Sequence, residues 1–203
     1  MAEVTRIVAE EGMVEVPPFD DPAVIAGQGT IGLELIEDVP ELDTVIVPLS
    51  GGGLAGGIAL AVNAMRPAVR VIGVSMARGA GMHASLAAGR PVEVEEVPSL
   101  ADSLGGGIGT ANRWTFDLCR RLLDDVVLVS EAEIYRGMAH LLRCDRIVAE
   151  GAAAVGTAAL LAGRIALRGP TALIVSGSNV DMDQLIRVAT RAPVRLDDEE
   201  IGG

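Results

Sequence analysis

The apolar run Val45 to Leu49 breaks directly into Ser50-Gly51-Gly52-Gly53-Leu54-Ala55-Gly56-Gly57, a strand that passes at once into a glycine-rich turn opening a helix. Five of the seven positions from 51 to 57 are glycine, more than close helix-to-sheet packing needs. Successive glycines let the chain turn so that several backbone N–H groups converge. The helix that follows adds its own unpaired amides and the positive end of its dipole. A phosphate fits such a turn without any lysine or arginine. The plainer alternative is a tight strand-to-helix turn whose glycines serve packing alone.

The same grammar repeats along the chain. Near-continuous apolar runs near residues 44–49, 69–75, 126–129 and 171–175 read as strands covered on both faces. Helices are expected near 54–65, 79–88, 112–123, 131–144, 151–164 and 181–190. Strands alternating with helices in this way predict an α/β fold: a doubly wound, mostly parallel sheet with helices on both faces. Ahead of it, Val4, Ile7 and Val8 set a helical spacing that stops at Gly12, and Val14 to Val16 is a short extended run closed by Pro17-Pro18. Asp21 and Pro22 form an N-cap and first-turn pair for a helix running to about Asp38. Gly27, Gly29 and Gly32 inside it each cost about 1 kcal/mol relative to Ala, so close packing is expected to compensate. Ser130 with Glu133 spells a capping box. Residues 1–196 are expected to form one α/β domain and residues 197–203 a disordered tail. The irregular stretch 90–111 is long for a connection inside a compact domain, and such loops tend to carry function.

Only four residues are aromatic (Phe19, Trp114, Phe116, Tyr135) in a chain of 203 that is 50% hydrophobic, so the core must be built from Ala, Val, Leu and Ile. All 16 basic residues are arginine; with 28 acidic residues the net charge is −12, which argues against a surface that tracks nucleic-acid phosphates. Cys119 and Cys144 lack CxxC spacing and are expected to be buried and reduced, as suits a cytoplasmic protein without a signal-peptide pattern. Ser50, Asn63, Glu150 and Arg164 interrupt the longest apolar stretches, so no membrane span is expected.

Gly51, Gly53 and Gly56 also satisfy G-x-G-x-x-G, which keeps a dinucleotide site open. Such a site wants an acidic residue at the end of the next strand; Ser75 and Met76 stand there with Arg78 nearby, leaving an NADP-binding oxidoreductase domain as the surviving version. A non-catalytic binding or assembly module is a third reading. The strand near 172–175 ends in Ser176-Gly177-Ser178-Asn179, and two glycine-bearing turns at the carboxyl ends of parallel strands should face one crevice. His83 and His140 are far apart in sequence and read as helix-surface residues, Glu93 to Glu96 as a solvated strand edge, and Asp20-Asp21 as a helix cap.

In PPFDDPAVIAGQGTIGLEL (17–35), VPLSGGGL and the SGSN turn, the chain resembles the fold type II pyridoxal phosphate enzymes, and among them the threonine dehydratase and serine racemase family. Its SMARGAGM, ADSLGGGIG and AEGAAAVG segments resemble the dehydratases of hydroxyectoine utilisation. The resemblance covers residues 1 to about 190. It implies that Ser50, Gly51, Gly52, Gly53 and Leu54 bind the cofactor phosphate, that Ser176 hydrogen-bonds the pyridine nitrogen, and that Glu150 lies beside the cofactor. Asp102-Ser103 would be the turn near the substrate, where these dehydratases usually have Asp-Gly. From the residues alone, Glu150 could equally be a charge favoured by a helix N-terminus, and Ser176 an ordinary turn serine. Where relatives hold a structural divalent cation, this chain has Ser75, Gly79 and Gly81, too few oxygen ligands for a cage, so no metal is expected there.

The resemblance also implies a Schiff-base lysine in an amino-terminal portion, and the chain contains no lysine. Arginine cannot replace it, because a guanidinium stays protonated. The expectation is therefore a truncated product, an incomplete gene model or half of a split enzyme, inactive alone. Intact, it would be a homodimeric pyridoxal phosphate-dependent lyase acting on a small hydroxy amino acid or a hydroxyectoine-like compound.

Overall fold

The computed structural model describes residues 2–202. Helix α1 (Ala2–Glu11) is solvent-facing, its Arg6 bridged to Glu3 and Glu10, and it ends at Gly12 with a φ of +65°. Residues 12–17 then belong to no helix or strand, with Val14 87% exposed. Helix α2 (Pro22–Asp38) begins where its sequence says it should: the Asp21 carboxylate accepts the N–H groups of Ala23 and Val24 at 2.8 and 3.2 Å.

The sheet follows. Strands β1 (Thr44–Pro48), β2 (Arg70–Met76), β3 (Asp125–Val129) and β4 (Thr171–Leu173) are all parallel, in the order β3-β2-β1-β4. Strand β1 is wholly buried, pairing Thr44 with Arg70 on one side and with Thr171 on the other. Successive side chains of β1 enter opposite layers. Val45, Val47 and Leu49 join the core shared with α3 (Gly53–Met65) and α5 (Thr115–Leu122), whereas Ile46 joins the core shared with α6 (Glu131–His140) and α7 (Gly151–Leu161). Helix α4 (Gly81–Ala88) follows β2, and α8 (Met182–Thr190) follows β4. The doubly wound arrangement expected from the alternating pattern is the one found.

With so few rings to fill space, backbones must approach closely. At Gly57 an added Cβ would lie 2.4 Å from the Ile25 carbonyl oxygen, and at Gly32 2.9 Å from that of Ile58, so α2 and α3 meet through glycine. Gly29 and Gly32 are thereby explained, while Gly27 has open space around it. Gly156 lets α7 settle on the sheet, where a Cβ would reach 2.3 Å from the Leu173 side chain.

Four expectations change. The tail is not disordered over its described part: β5 (Val194–Leu196) and β6 (Glu199–Ile201) pair antiparallel about a turn with Asp197 at φ +50°, and Val194 and Ile201 enter the core. The helix expected over 131–144 passes at Leu141 into a π turn (Leu141–Asp145). Cys119 is buried, but Cys144 is exposed, because the wider turn rotates it off the packed face that keeps Leu141 inside. Glu93, Glu95 and Glu96 are exposed as expected but belong to no strand.

The capping box at the start of α6 forms. The Glu133 carboxylate accepts the Ser130 N–H at 2.7 Å and receives Arg164 Nε and Nη2 at 2.9 and 2.8 Å. Burial pushes this carboxyl up, but the Ser130 N–H, the Arg164 guanidinium and the Ser130 hydroxyl together hold it below its ordinary value. A depressed carboxylate contributes stability that is present above its unfolded pKa and is lost as pH falls through the lower folded one. Glu133→Ala is expected to cost about 1–3 kcal/mol at neutral pH. Urea unfolding repeated at falling pH should show the gap between parent and variant closing in acid; a gap constant with pH would contradict this account.

Candidate functional site

The sheet order reverses beside β1: β2 lies on one flank and β4 on the other, so the carboxyl ends of β1 and β4 bound the crevice where an open α/β sheet takes its ligand. A cleft of about 240 Å³ opens there, and Ser50, Gly51, Gly52, Gly53, Leu54, Ser103, Glu150 and Ser176 all line it. Of the site residues expected from sequence, only Asp102 stays out. It starts a 3₁₀ turn (Asp102–Leu104), is exposed, and accepts the N–H of Ser103 at 2.8 Å, which aims Ser103 inward in its place.

The glycine turn is shaped for an anion. The first backbone bond of α3 runs from the Gly56 N–H to the Gly52 carbonyl at 2.8 Å, so the amides of Gly53, Leu54 and Ala55 lie ahead of the helical ladder at the cleft wall. Gly52, the N-cap, sits at φ +90° and ψ 0°, a conformation that glycine alone adopts without strain. Behind it stand Met82, Thr115 and Cys119. Burial pushes the Cys119 thiol up to about 12, so it backs the cradle as a neutral group and does not repel a bound anion.

Phe19 forms the other wall, and sequence reasoning missed it. A Cβ on Gly51 would fall 2.2 Å from its ring, and one on Gly53 would fall 2.9 Å from its Cα. What fixes Phe19 is the adjacent pair of aspartates. Asp21 caps α2, while Asp20 reaches across the chain to accept the N–H groups of Arg113, Trp114 and Thr115 at 2.7, 2.8 and 3.0 Å. Burial raises the Asp20 carboxyl, and these backbone donors outweigh it and hold it below its usual value. The one available signal was the ring itself, one of four in the chain, lying inside the PPFDDP run.

Across the cleft Glu150 occupies the N-cap position of α7, yet its side chain caps nothing. Its carboxylate accepts the Ser103 hydroxyl at 3.1 Å and crowds Gly177, where a Cβ would lie 2.1 Å from Oε1; its N–H donates to the Gly177 carbonyl at 3.2 Å. Glu150 thus joins the 99–104 loop to the turn that carries Ser176. The loop is pinned from beneath by Glu131, which is only 5% exposed and accepts the Ser99 hydroxyl and the Leu100 N–H at 2.8 and 2.7 Å. Gly151 completes the fit, since a Cβ there would sit 1.9 Å from the Leu100 carbonyl oxygen.

A glycine-rich turn at the start of a helix, facing a polar turn at a topological switch point, is the place where the α/β class of protein takes a phosphate-bearing ligand. Residues 1–177 match the family of pyridoxal-phosphate dependent enzymes, and the chain belongs to that family. It is 56% identical over 199 residues to a Sinorhizobium fredii protein whose name places it among the threonine dehydratases, covering 98% of this chain and 60% of that one. It is 43% identical over 191 residues to L-threonine dehydratase catabolic TdcB of Escherichia coli (strain K12), covering 93% and 57%. Among solved structures, maize serine racemase superposes with a TM-score of 0.84 at 34% identity, covering 92% of this chain and 57% of that one. The chain therefore spans a little over half the length of these relatives.

The dinucleotide alternative loses its footing here. Arg78, which an NADP phosphate would need, is paired with Glu199 from β6, and the family is one that uses pyridoxal phosphate. Among the described residues, no helix is long and apolar enough to cross a membrane.

Proposed function

We propose that the intact protein is a pyridoxal phosphate-dependent lyase that removes water and ammonia from a small hydroxy amino acid of the threonine or serine type. This chain would supply its phosphate cradle. The observation that carries the reading is the meeting of the glycine turn after β1 with the Ser176 turn after β4 in one cleft. The residues present fit the cofactor: Gly51, Gly52 and Gly53 offer amides where side chains would leave no room, Leu54 adds its own amide, and Ser50 lies at the rim. When bound, pyridoxal phosphate supplies an electron sink that eases loss of the α proton of an amino acid.

The remaining roles belong to the chain. Ser176, a neutral hydroxyl, would meet the ring nitrogen without holding it protonated, which suits elimination, where the departing hydroxyl relieves the charge. Glu150 orients Ser103 towards the substrate side, and Phe19 excludes water from the phosphate end. With no lysine among the 203 residues, the amine that carries the cofactor and moves the α proton would come from another segment or a second polypeptide. The relatives' names support threonine, and the SMARGAGM, ADSLGGGIG and AEGAAAVG segments support a hydroxyectoine-like compound as the finer alternative. A homodimer is part of the same proposal.

The test has two arms. The 203-residue chain should bind pyridoxal phosphate more tightly than pyridoxal, with no attachment trapped by borohydride. Co-expressed with the lysine-bearing portion of a relative, it should release ammonia and a 2-oxo acid from threonine or serine. Equal affinity for the two cofactor forms, or ammonia release from neither amino acid by a complex that retains the cofactor, would overturn the reading.

A further inference from the structure

A second concavity lies on the outer side of α6, away from the glycine cradle. It measures about 300 Å³ and is lined by Tyr135, Arg136, His140, Arg143, Cys144 and Arg191, with Ala139 and Leu161 completing an apolar wall. Arg136, His140 and Arg143 fall on one stripe of α6 and its π turn, at helical spacing. Arg191 comes from the end of α8, where φ of +60° turns it towards them. Burial raises the Tyr135 hydroxyl while Arg191 and Arg143 pull it down, an independent sign that these two charges flank the floor.

Such a gathering of charge needs a cause in a chain whose net charge is −12. Cations at the last turn of a helix offset its dipole, and this accounts for Arg143 and Arg191. It does not account for Arg136, which sits in the middle of α6. Among the described residues none of the three arginines makes an ion pair, whereas His140 has Asp145 at 3.6 Å. Arg143 gives one N–H to the Ala189 carbonyl at 3.2 Å, and among the described residues Arg136 and Arg191 have no acceptor. Guanidiniums present parallel donors that match the oxygens of a phosphate, and the apolar wall offers a surface to whatever the phosphate is attached to.

We propose that this hollow is a second ligand site, separate from the glycine cradle, that takes a small phosphate monoester: phosphate between Arg136, Arg143 and Arg191, organic part against Tyr135, Ala139 and Leu161. The proposal does not depend on the reaction assigned above.

Cys144 makes the test direct, because it lines the hollow and is exposed, whereas Cys119 is buried and serves as an internal check of folding. Alkylation of Cys144 in the full chain by iodoacetamide is followed by mass spectrometry with phenyl phosphate or inorganic phosphate added at constant ionic strength. Phenyl phosphate at about ten times its dissociation constant is expected to slow Cys144 about tenfold by mass action. Inorganic phosphate at the same concentration should protect less, and Arg136→Gln with Arg191→Gln should remove the protection. If that pair exposes Cys119, Arg136→Lys with Arg191→Lys replaces it, keeping the charge but losing the fork, and is expected to retain only part of the effect. A rate indifferent to phenyl phosphate, protection unchanged in the arginine variants, or equal protection by the two anions would overturn the assignment. Gly52→Ala, which distorts the glycine cradle alone, is expected to leave the protection of Cys144 by phenyl phosphate unchanged, so the two sites are read separately.

Discussion

Gly52→Ala is expected to weaken pyridoxal phosphate binding by about 5- to 140-fold while leaving the affinity for unphosphorylated pyridoxal nearly unchanged. The range follows from about 1–3 kcal/mol for forcing a side chain into this region of conformational space, at about 1.4 kcal/mol per tenfold. The residue sits at φ +90°, and an added Cβ would lie 2.8 Å from the Met82 methyl, 2.9 Å from Cys119 Sγ and 3.1 Å from Thr115 Cβ. The tip of Met82 can swing aside. The other two are anchored in a helix that Asp20 holds by its first amides, so the turn itself must rotate. Rotation carries the Gly53 and Leu54 N–H groups off their common focus. Fluorescence titration with both ligands separates loss of the cradle from loss of the fold, since unfolding lowers both affinities. A variant that still prefers the phosphorylated form as strongly as the parent would show that the amides of this turn do not hold the phosphate.

The second large effect is expected at Gly151→Ala. The new methyl would stand 1.9 Å from the Leu100 carbonyl oxygen, a backbone atom with no rotamer to escape into. Leu100 is also held by Glu131 through its N–H, so the loop cannot retreat without breaking a buried charge-assisted hydrogen bond. Overpacking of this kind costs about 1–3 kcal/mol, and its relief requires residues 99–104 to lift away from α7. Hydrogen exchange should therefore rise at the amides of Leu100 and Ala101, and the Ser103 to Glu150 contact should be lost. Exchange that stays at the parent level would mean the strain is absorbed in α7, and that the loop does not depend on this fit.

The elements that were readable beforehand are those whose signal is local. The strands, the caps at Asp21 and Ser130, and the turn at Gly51 to Gly53 each follow from residues adjacent in sequence. What escaped notice involves partners far along the chain. Asp20 acts on the amides of 113–115, Phe19 covers glycines more than thirty positions later, and Glu131 reaches back to Ser99 and Leu100. The β5–β6 hairpin was hidden for another reason. Val194 and Ile201 are its only fully buried apolar residues, and the acidic run between them reads as solvated chain. Cys144 was misplaced because a π turn shifts the helical face by part of a residue, and no residue type announces that.

The neighbours of β1 set a timetable for assembly. Its pairing with β2 can form as soon as the intervening helix has been made, but its other edge waits for Thr171, synthesised long afterwards. On a ribosome, the crevice has one wall for most of elongation and gains the second only when β4 slides in beside Thr44. Until then the inner backbone of the most deeply buried strand lies open to any passing polypeptide, so the half-finished product is the species a chaperone must shield.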